Sequence, residues 1–595
     1  MQLTTVFLAL SSSWAAADTS EVATQPPITV TATRTEQAIT DTLAAVSIID
    51  RDRIDQSVAQ DLVDLLRLEP GVDIVRSGGS GGQTSVFLRG TNSNHVLVLI
   101  DGVRVASTLT GAFNWENLPV AQIERVEIVR GPRASYYGSD AIGGVIEVTT
   151  RQAENFGARA QLGSFDTVRG STWFGAGDDS NHFSTALSYA NVGGFSSQNS
   201  GGFSYDADDD GYRNRALSTR FANQVSDSQT LSGSILYSNG RNEFDQGVSD
   251  QVNKVAGVAL SGNLAAQWNH RLSLGYAAGD LETPVFGSDV SSSRTTLDWL
   301  LSTDRQWGAL TVGINWMDER GRENDTFTAA TVYSVDRNNV GLFGAYQRHL
   351  GQHQVELSAR YDDNSEFGDH LTGQAAWGYH FSNQLNAFAS VGTAFRSPSL
   401  SEQFSPGFFG LFAGNPNLDP ERSTSAELGL RWANDSQSVS GNIFHSDIKD
   451  LIAFSGVDFQ AININKAQIQ GLELDWQSRF GAYVSRVALT VQDTENKATG
   501  AELVRRPKSK AAATLSRQFA LGELGAELLY VGKRDEIFGG ELGDYTVLNL
   551  TGQWSFARHW QLEGRVENLF DESYEVAAGF NTPERSAWLG VVFSQ

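Results

Sequence analysis

The feature that most constrains this chain is a side-chain period of two, sustained through most of its length. Phe183, Thr185, Leu187 and Tyr189 alternate with Ser184, Ala186 and Ser188, and Leu231, Gly233, Ile235 and Tyr237 alternate with Ser232, Ser234 and Leu236. Near the end, Leu548, Leu550, Gly552, Trp554 and Phe556 interleave with Asn549, Thr551, Gln553 and Ser555. Trp560, Leu562, Gly564 and Val566 do the same with Gln561, Glu563, Arg565 and Glu567. Successive side chains of a strand point to opposite faces, so each segment predicts a strand with one apolar and one polar face. No apolar run approaches the roughly 18 residues of a membrane-spanning helix, which removes helical membrane folds. Alternation by itself fits a soluble sandwich, with apolar faces inward, and a transmembrane barrel, with apolar faces toward lipid. The pattern from Asn155 to Gln595 is long for one sandwich, and its polar faces carry Glu and Arg, as a wet lumen allows.

The start of the chain supports the barrel. Leu3 to Trp14 is apolar without acidic residues, and Ala15-Ala16-Ala17 offers a small-residue cleavage site, although no Lys or Arg precedes them. Residues 1–17 are therefore expected to be an export signal, and Ser20 to Pro27 a polar leader. Glycine is 59 of 595 residues and aromatics are 10 %, while charged residues are only 19 %, below the roughly 25 % of soluble domains. The net charge of -25 argues against a nucleic-acid partner, which needs a basic surface. The absence of cysteine excludes disulfides, thiolate zinc sites and cysteine nucleophiles.

Between Ile28 and Arg151 the pattern is mixed. Ile54, Val58, Leu62, Leu65 and Leu66 predict one helix over Asp52 to Leu68, stopped by Pro70-Gly71. Val96 to Ile100 and Ile123 to Val129 are continuous apolar runs, expected as strands buried on both faces. This is a compact α/β domain ahead of the strand-rich region.

Three groups of residues carry chemistry. Ile28-Thr29-Val30-Thr31-Ala32 follows the leader; its β-branched residues favour an extended strand that can pair with a partner's sheet edge, or serve as the domain's own first strand. Asp206, Asp208 and Asp210, before Gly211, place carboxylates at i, i+2 and i+4 of a turn. At 4 Å and an effective dielectric near 20, each pair of like charges costs roughly 4 kcal/mol. A hard cation relieves that cost, and calcium fits oxygen ligands best; the alternative is a solvated acidic loop. The twelfth position is Leu217, so this is no EF-hand. Arg89 and Arg130, in VFLRG and IVRGP, need carboxylates if buried. No catalytic constellation is present: His349 and His353 sit in a strand turn, RHLGQHQV, and no nucleotide loop or nucleophile elbow has a strand–helix context. The chain is not read as an enzyme.

The runs GGSGGQTSVFLRGTNSNHVLVLIDGVR and ERVEIVRGPRASYYGSDAIGGVIEVTT, between Gly78 and Thr150, resemble the plug of TonB-dependent outer-membrane transporters, most closely the cobalamin (vitamin B12) transporters. GNPNLDPE from Gly414, IQGLELD around Gly471, LVRRPK from Leu503 and ENLFDESY from Glu567 extend the similarity along the barrel. The resemblance implies an all-β membrane protein of the bacterial outer membrane. It is expected to be a 22-stranded antiparallel transmembrane barrel with an N-terminal mixed α/β plug. The implied division is a leader with the TonB box at 18–34, a plug at 35–152 and a barrel at 153–595. Residues 28–32 become the box grasped by the TonB energy-coupling protein. Gln83, Ser85, Asn92, Leu109, Thr110, Arg505 and Phe538 match substrate-contacting positions, though the loop VASTLTG is one residue shorter than its counterparts. Asp245 and Asp250 join Asp206, Asp208 and Asp210 as calcium ligands, while Ser196 stands where the family has another acid. Glu427 and Glu473 face Arg89 and Arg130 as a plug–barrel lock. The implied activity is TonB-dependent uptake of a corrinoid, with a siderophore or haem as the alternative substrate. The 125-residue domain ahead of the strands argues against a passive porin or an adhesin.

Overall fold

The computed structural model describes residues 29–595, apart from 31, 36, 179, 266, 408–410, 457 and 538, and apart from the side chains of 29, 30, 455 and 465. The expected export signal, Ile28, Thr31 and Phe538 therefore lie outside the described residues.

Twenty-two strands form a closed barrel in which each pairs antiparallel with its sequence neighbour. Closure is made by the first strand, Gly157–Gly163, against the last, Ser586–Ser594, in register from Gly157 opposite Ser594 to Gly163 opposite Trp588. A closed barrel leaves no strand edge unpaired, the condition for a sheet in hydrocarbon. The faces decide what alternation left open: Leu187, Ile235 and Trp554 are about half exposed on the outside, whereas Ser184, Ala186, Leu236 and Asn549 are buried toward the lumen. The apolar face is the outer one, as lipid requires. Strands reach 21 residues, in Ala330–Leu350 and Gln460–Phe480, about twice the length needed to cross a bilayer. At one rim the turns are short, as at Gly351-Gln352; at the other, segments such as 397–420 and 568–585 are long.

The lumen is filled by the N-terminal domain. Its five-stranded sheet runs in the order Val46–Ile49, Ile123–Arg130, Gly144–Thr150, Val96–Ile100, Val103–Arg104, with Val96–Ile100 parallel to Gly144–Thr150. Val96–Ile100 is buried at every residue, as its unbroken apolar run requires, and a hairpin, Val72–Arg76 with Thr84–Leu88, stands beside the sheet. The single helix expected over Asp52 to Leu68 is two short ones, Arg51–Ser57 and Leu62–Leu66. Val58 turns into the left-handed region (φ 49°), and Asp61 accepts a hydrogen bond from the Asp64 amide at 3.0 Å, opening a second helix. Capping by Asp competes with propagation, and the apolar spacing survives the break because Ile54, Leu62, Leu65 and Leu66 still reach one core.

Candidate functional site

Three plug segments rise toward the long-loop rim. The first, 77–83, turns through Gly78 and Gly81, both at positive φ. A Cβ on Gly78 would lie 2.7 Å from Ser197 Oγ, and one on Gly81 2.2 Å from the Tyr212 ring, so only glycine lets this tip press against the barrel wall. Gln83 is exposed on its flank and Ser85 is half-buried. The second segment carries Asn92, half-buried, whose Oδ1 accepts from Arg506 Nη2 at 2.5 Å. The third, 107–111, leaves Thr110 exposed. Leu109, expected to touch substrate, is instead buried to 1 % exposure with Tyr333 and Leu400. The short helix Leu400–Phe404, capped by Ser399, comes down on that tip, with the Ser401 amide donating to Leu109 O at 2.9 Å and the Leu400 amide to Thr108 O at 3.2 Å. Arg505 is half-buried and bonded through Nε to Glu536 Oε1 at 2.5 Å. Gln83, Ser85, Asn92, Thr110 and Arg505 thus share the loop-side face of the filled lumen. Beside the third segment lies a cavity of about 260 Å³, whose lining mixes apolar side chains such as Phe113, Leu118 and Val255 with amides and hydroxyls that include Asn114, Gln251, Asn253, Ser292 and Ser405. The barrel residues among these were invisible in sequence, being ordinary polar members of alternating strands.

The plug and barrel meet through buried charges. Arg89 donates from Nε to Glu473 Oε1 at 3.0 Å, and from Nη2 to Glu473 Oε2 at 2.9 Å and Glu427 Oε1 at 2.8 Å. Arg130 Nε lies 3.7 Å from Glu473 Oε1, but its hydrogen bonds go to Pro70 O and Ser47 Oγ. Gly71, at φ 69°, makes room for the lock: a Cβ there would sit 2.0 Å from Glu473 Oε1. Sequence reading missed a second bridge, in which Arg486 donates to both oxygens of Glu69 at 2.6 Å while also meeting Asp475. Burial would raise the Glu69 carboxyl, but Arg486 and Arg53 pull it well below the usual carboxylate range. A third cluster joins His95 of the plug to Glu421 at 2.7 Å, and Glu421 to Arg396, which also reaches Glu402 at 2.9 Å. The only sequence signal for these was a charge within an otherwise alternating strand, such as Arg486 in YVSRVAL.

At the plug's start, Thr29–Val30 pairs antiparallel with Gln37–Ala38, and Ala32 is buried beside Ala44 and Val129. Arg34 follows at positive φ, its Nη2 2.7 Å from Asp298 Oδ1 on the barrel wall. Sequence reading had not singled out Arg34.

The acidic loop is organised differently from the expectation. Asp210 Oδ2 accepts from the Ser197 amide at 2.6 Å, and Asp245 accepts from the amides of Gln198 at 3.0 Å and Asp206 at 2.8 Å. Asp208 and Asp245 act electrostatically on Asp210, whereas Asp250 pairs with Arg241 at 3.1 Å. Asp210 and Asp245 thus spend side-chain oxygens on backbone amides. Among the described residues, no three acids, histidines or cysteines are gathered at metal-binding distance.

Residues 150–569 match the family described as TonB dependent receptor-like, beta-barrel, and residues 38–145 match the TonB-dependent receptor plug domain. A protein described as vitamin B12 transporter BtuB, from Photobacterium profundum, is 29 % identical over 591 residues, covering 94 % of this chain and 93 % of that one. In fold, the chain resembles the ferric enterobactin receptor PfeA of Pseudomonas aeruginosa, with a TM-score of 0.79 at 19 % identity over 93 % of this chain and 99 % of the receptor. It also resembles the siderophore receptor PirA of Acinetobacter baumannii, with a TM-score of 0.79 at 18 % identity over 92 % and 98 % of the two chains. With its plug, its closed barrel of 22 strands and these matches over both, the chain belongs to the TonB-dependent receptors, transporters of the bacterial outer membrane that take up a ligand with the TonB protein as partner.

Proposed function

We propose that this receptor carries cobalamin or a related corrinoid. The observation that carries the reading is the 29 % identity to a vitamin B12 transporter along both plug and barrel. The siderophore receptors are nearer 19 % identity and speak to fold alone. The loop-side face is compatible: Gln83, Ser85, Asn92 and Thr110 are neutral amides and hydroxyls, suited to the amide rim of a corrin. The box residues 28–32 are the segment engaged by TonB, and Arg89, Arg130, Glu427 and Glu473 hold the plug until it is pulled.

Calcium is part of the proposal. Asp206, Asp208, Asp210 and Asp245 supply oxygen ligands whose mutual repulsion a divalent ion would relieve. The ion would compete with the amides now held by Asp210 and Asp245, and Asp250 would join once freed from Arg241. A pre-ordered loop spares the ligand the cost of fixing it. Coupling of 1–3 kcal/mol, roughly 5–150-fold in affinity, is typical. The test titrates cyanocobalamin against wild type and the Asp208→Asn, Asp210→Asn double variant, each with chelator and with millimolar calcium. Wild type is expected to tighten with calcium and the variant to stay at the calcium-free level. An equal calcium response in both removes the metal site. No binding in any titration removes the corrinoid and leaves an iron siderophore or haem as the substrate.

A further inference from the structure

A second cavity, of about 130 Å³, lies in the seam between plug and barrel, beside the first plug tip and Arg505. One side is the plug from Gln60 to Arg76 with the tip at Gly78–Ser80; the other is the wall around the closure, from Arg169 to Lys510, Arg534, Tyr545 and Trp588. Its charges do not balance locally. Three carboxylates on its wall are paired with guanidiniums, Asp61 to Arg76 at 2.6 Å, Asp64 to Arg67 at 3.3 Å and Glu567 to Arg565 at 2.7 Å, while the fourth, Asp73, accepts from the neutral Gln492 amide at 2.7 Å and offers one negative charge to the remaining cations. Two guanidiniums have only neutral acceptors. Arg534, 4 % exposed, donates to the carbonyls of Gly543 and Glu575. Arg169 donates from Nη1 to Gln60 O at 2.9 Å, and its Nε is buried without a partner. Lys510, also buried, donates to the carbonyls of Glu69 and Val72 and stands 4.0 Å from Asp73. Trp588 Nε1 is a further buried donor without an acceptor.

Carbonyl dipoles satisfy donors but do not neutralise charge, and an uncompensated buried cation is costly. Guanidinium forks match the oxygens of a tetrahedral oxyanion. The volume is that of about four water molecules, room for one such anion and a water or two. We propose that this cavity binds a free oxyanion of phosphate size, held by Arg169, Arg534 and Lys510, which neutralises the seam and fastens plug residues 60–76 to the barrel. The cavity is too small for a ligand-sized macrocycle, so the inference does not depend on which substrate is carried.

The experiment uses the full-length receptor and two probes. Crystals soaked in tungstate are expected to show anomalous density between Arg169 and Arg534. Hydrogen exchange of residues 60–76 is expected to slow in phosphate relative to chloride at equal ionic strength, roughly tenfold at a phosphate concentration ten times its dissociation constant. Arg169→Gln with Arg534→Gln is expected to abolish the phosphate effect; should that variant fail to fold, Arg534→Gln alone is expected to weaken it. Absence of tungstate density in the seam, or exchange that ignores phosphate in wild type, overturns the proposal. So does a phosphate effect undiminished in a folded variant.

Discussion

Arg89 reaches across the plug–barrel boundary to two barrel carboxylates, and each is buried. Replacing it with Ala leaves Glu427 and Glu473 without their cation in a dry seam, a loss of about 3–5 kcal/mol for a buried pair deprived of one member, less if water enters. Arg89→Ala is expected to raise hydrogen exchange across the plug and to let larger antibiotics through; unchanged exchange and unchanged antibiotic sensitivity count against the lock. Arg89→Lys offers one point charge in place of a fork and is expected to fall between. Glu116 makes a different prediction. Burial pushes its carboxyl from 4.5 up to about 7, and Oε2 has no hydrogen-bond partner. Glu147 is pushed the same way, also to about 7. The folded plug keeps protons that the unfolded chain releases, so this contribution to stability is full below about pH 4.5 and is lost as pH rises toward about 7. Plug protection, corrected for intrinsic exchange, is expected to fall between pH 5 and pH 8, and to fall less in Glu116→Gln. An equal fall in both proteins refutes the role of Glu116.

At the scale of elements, the barrel depends on its last strand finding its first. Phe593 stands opposite Ala158 on one side and Trp560 on the other, with its ring 5.1 Å from that of Trp560 and 6.1 Å from that of Phe156. Phe593→Ala is expected to lower the yield of folded, heat-modifiable barrel in membranes; normal levels would rule out a part in closure. The proposed coupling segment is an element of the opposite kind, a two-residue strand held by a short pairing and by Arg34 on Asp298. Val30→Pro removes a backbone donor that a partner's strand would use, so uptake is expected to stop while ligand binding persists. Uptake that survives the change would show that this segment is not what TonB grasps.

For the whole molecule, the barrel's hydrogen-bonded circle closes without any plug strand. Its lumen face is rich in Ser, Asn, Glu and Arg, such as Ser184, Asn214, Glu473 and Arg486, which water can solvate in place of the plug. Deleting residues 18–150 is therefore expected to leave a barrel that still migrates as a folded species in unheated gels but admits solutes that wild type excludes. Loss of the folded species would mean that the plug templates the barrel.

The sequence alone determined the strands and their faces, because the pleat is local: Phe183, Leu187 and Tyr189 fall on one side of a strand whatever surrounds it. It also determined the buried sheet of the plug from the apolar run Val96 to Ile100, and through quoted motifs the family. It did not determine the break at Val58, where Asp61 caps a new helix against an unbroken apolar period, nor that Leu109 lies beneath Leu400 instead of facing the loops. The break is a local contest between capping and propagation that periodicity does not record, whereas the place of Leu109, like Arg34 on Asp298 and Arg486 on Glu69, depends on groups hundreds of residues apart. Only the closed barrel, by enclosing the plug, brings them within hydrogen-bond distance and makes a missing partner expensive.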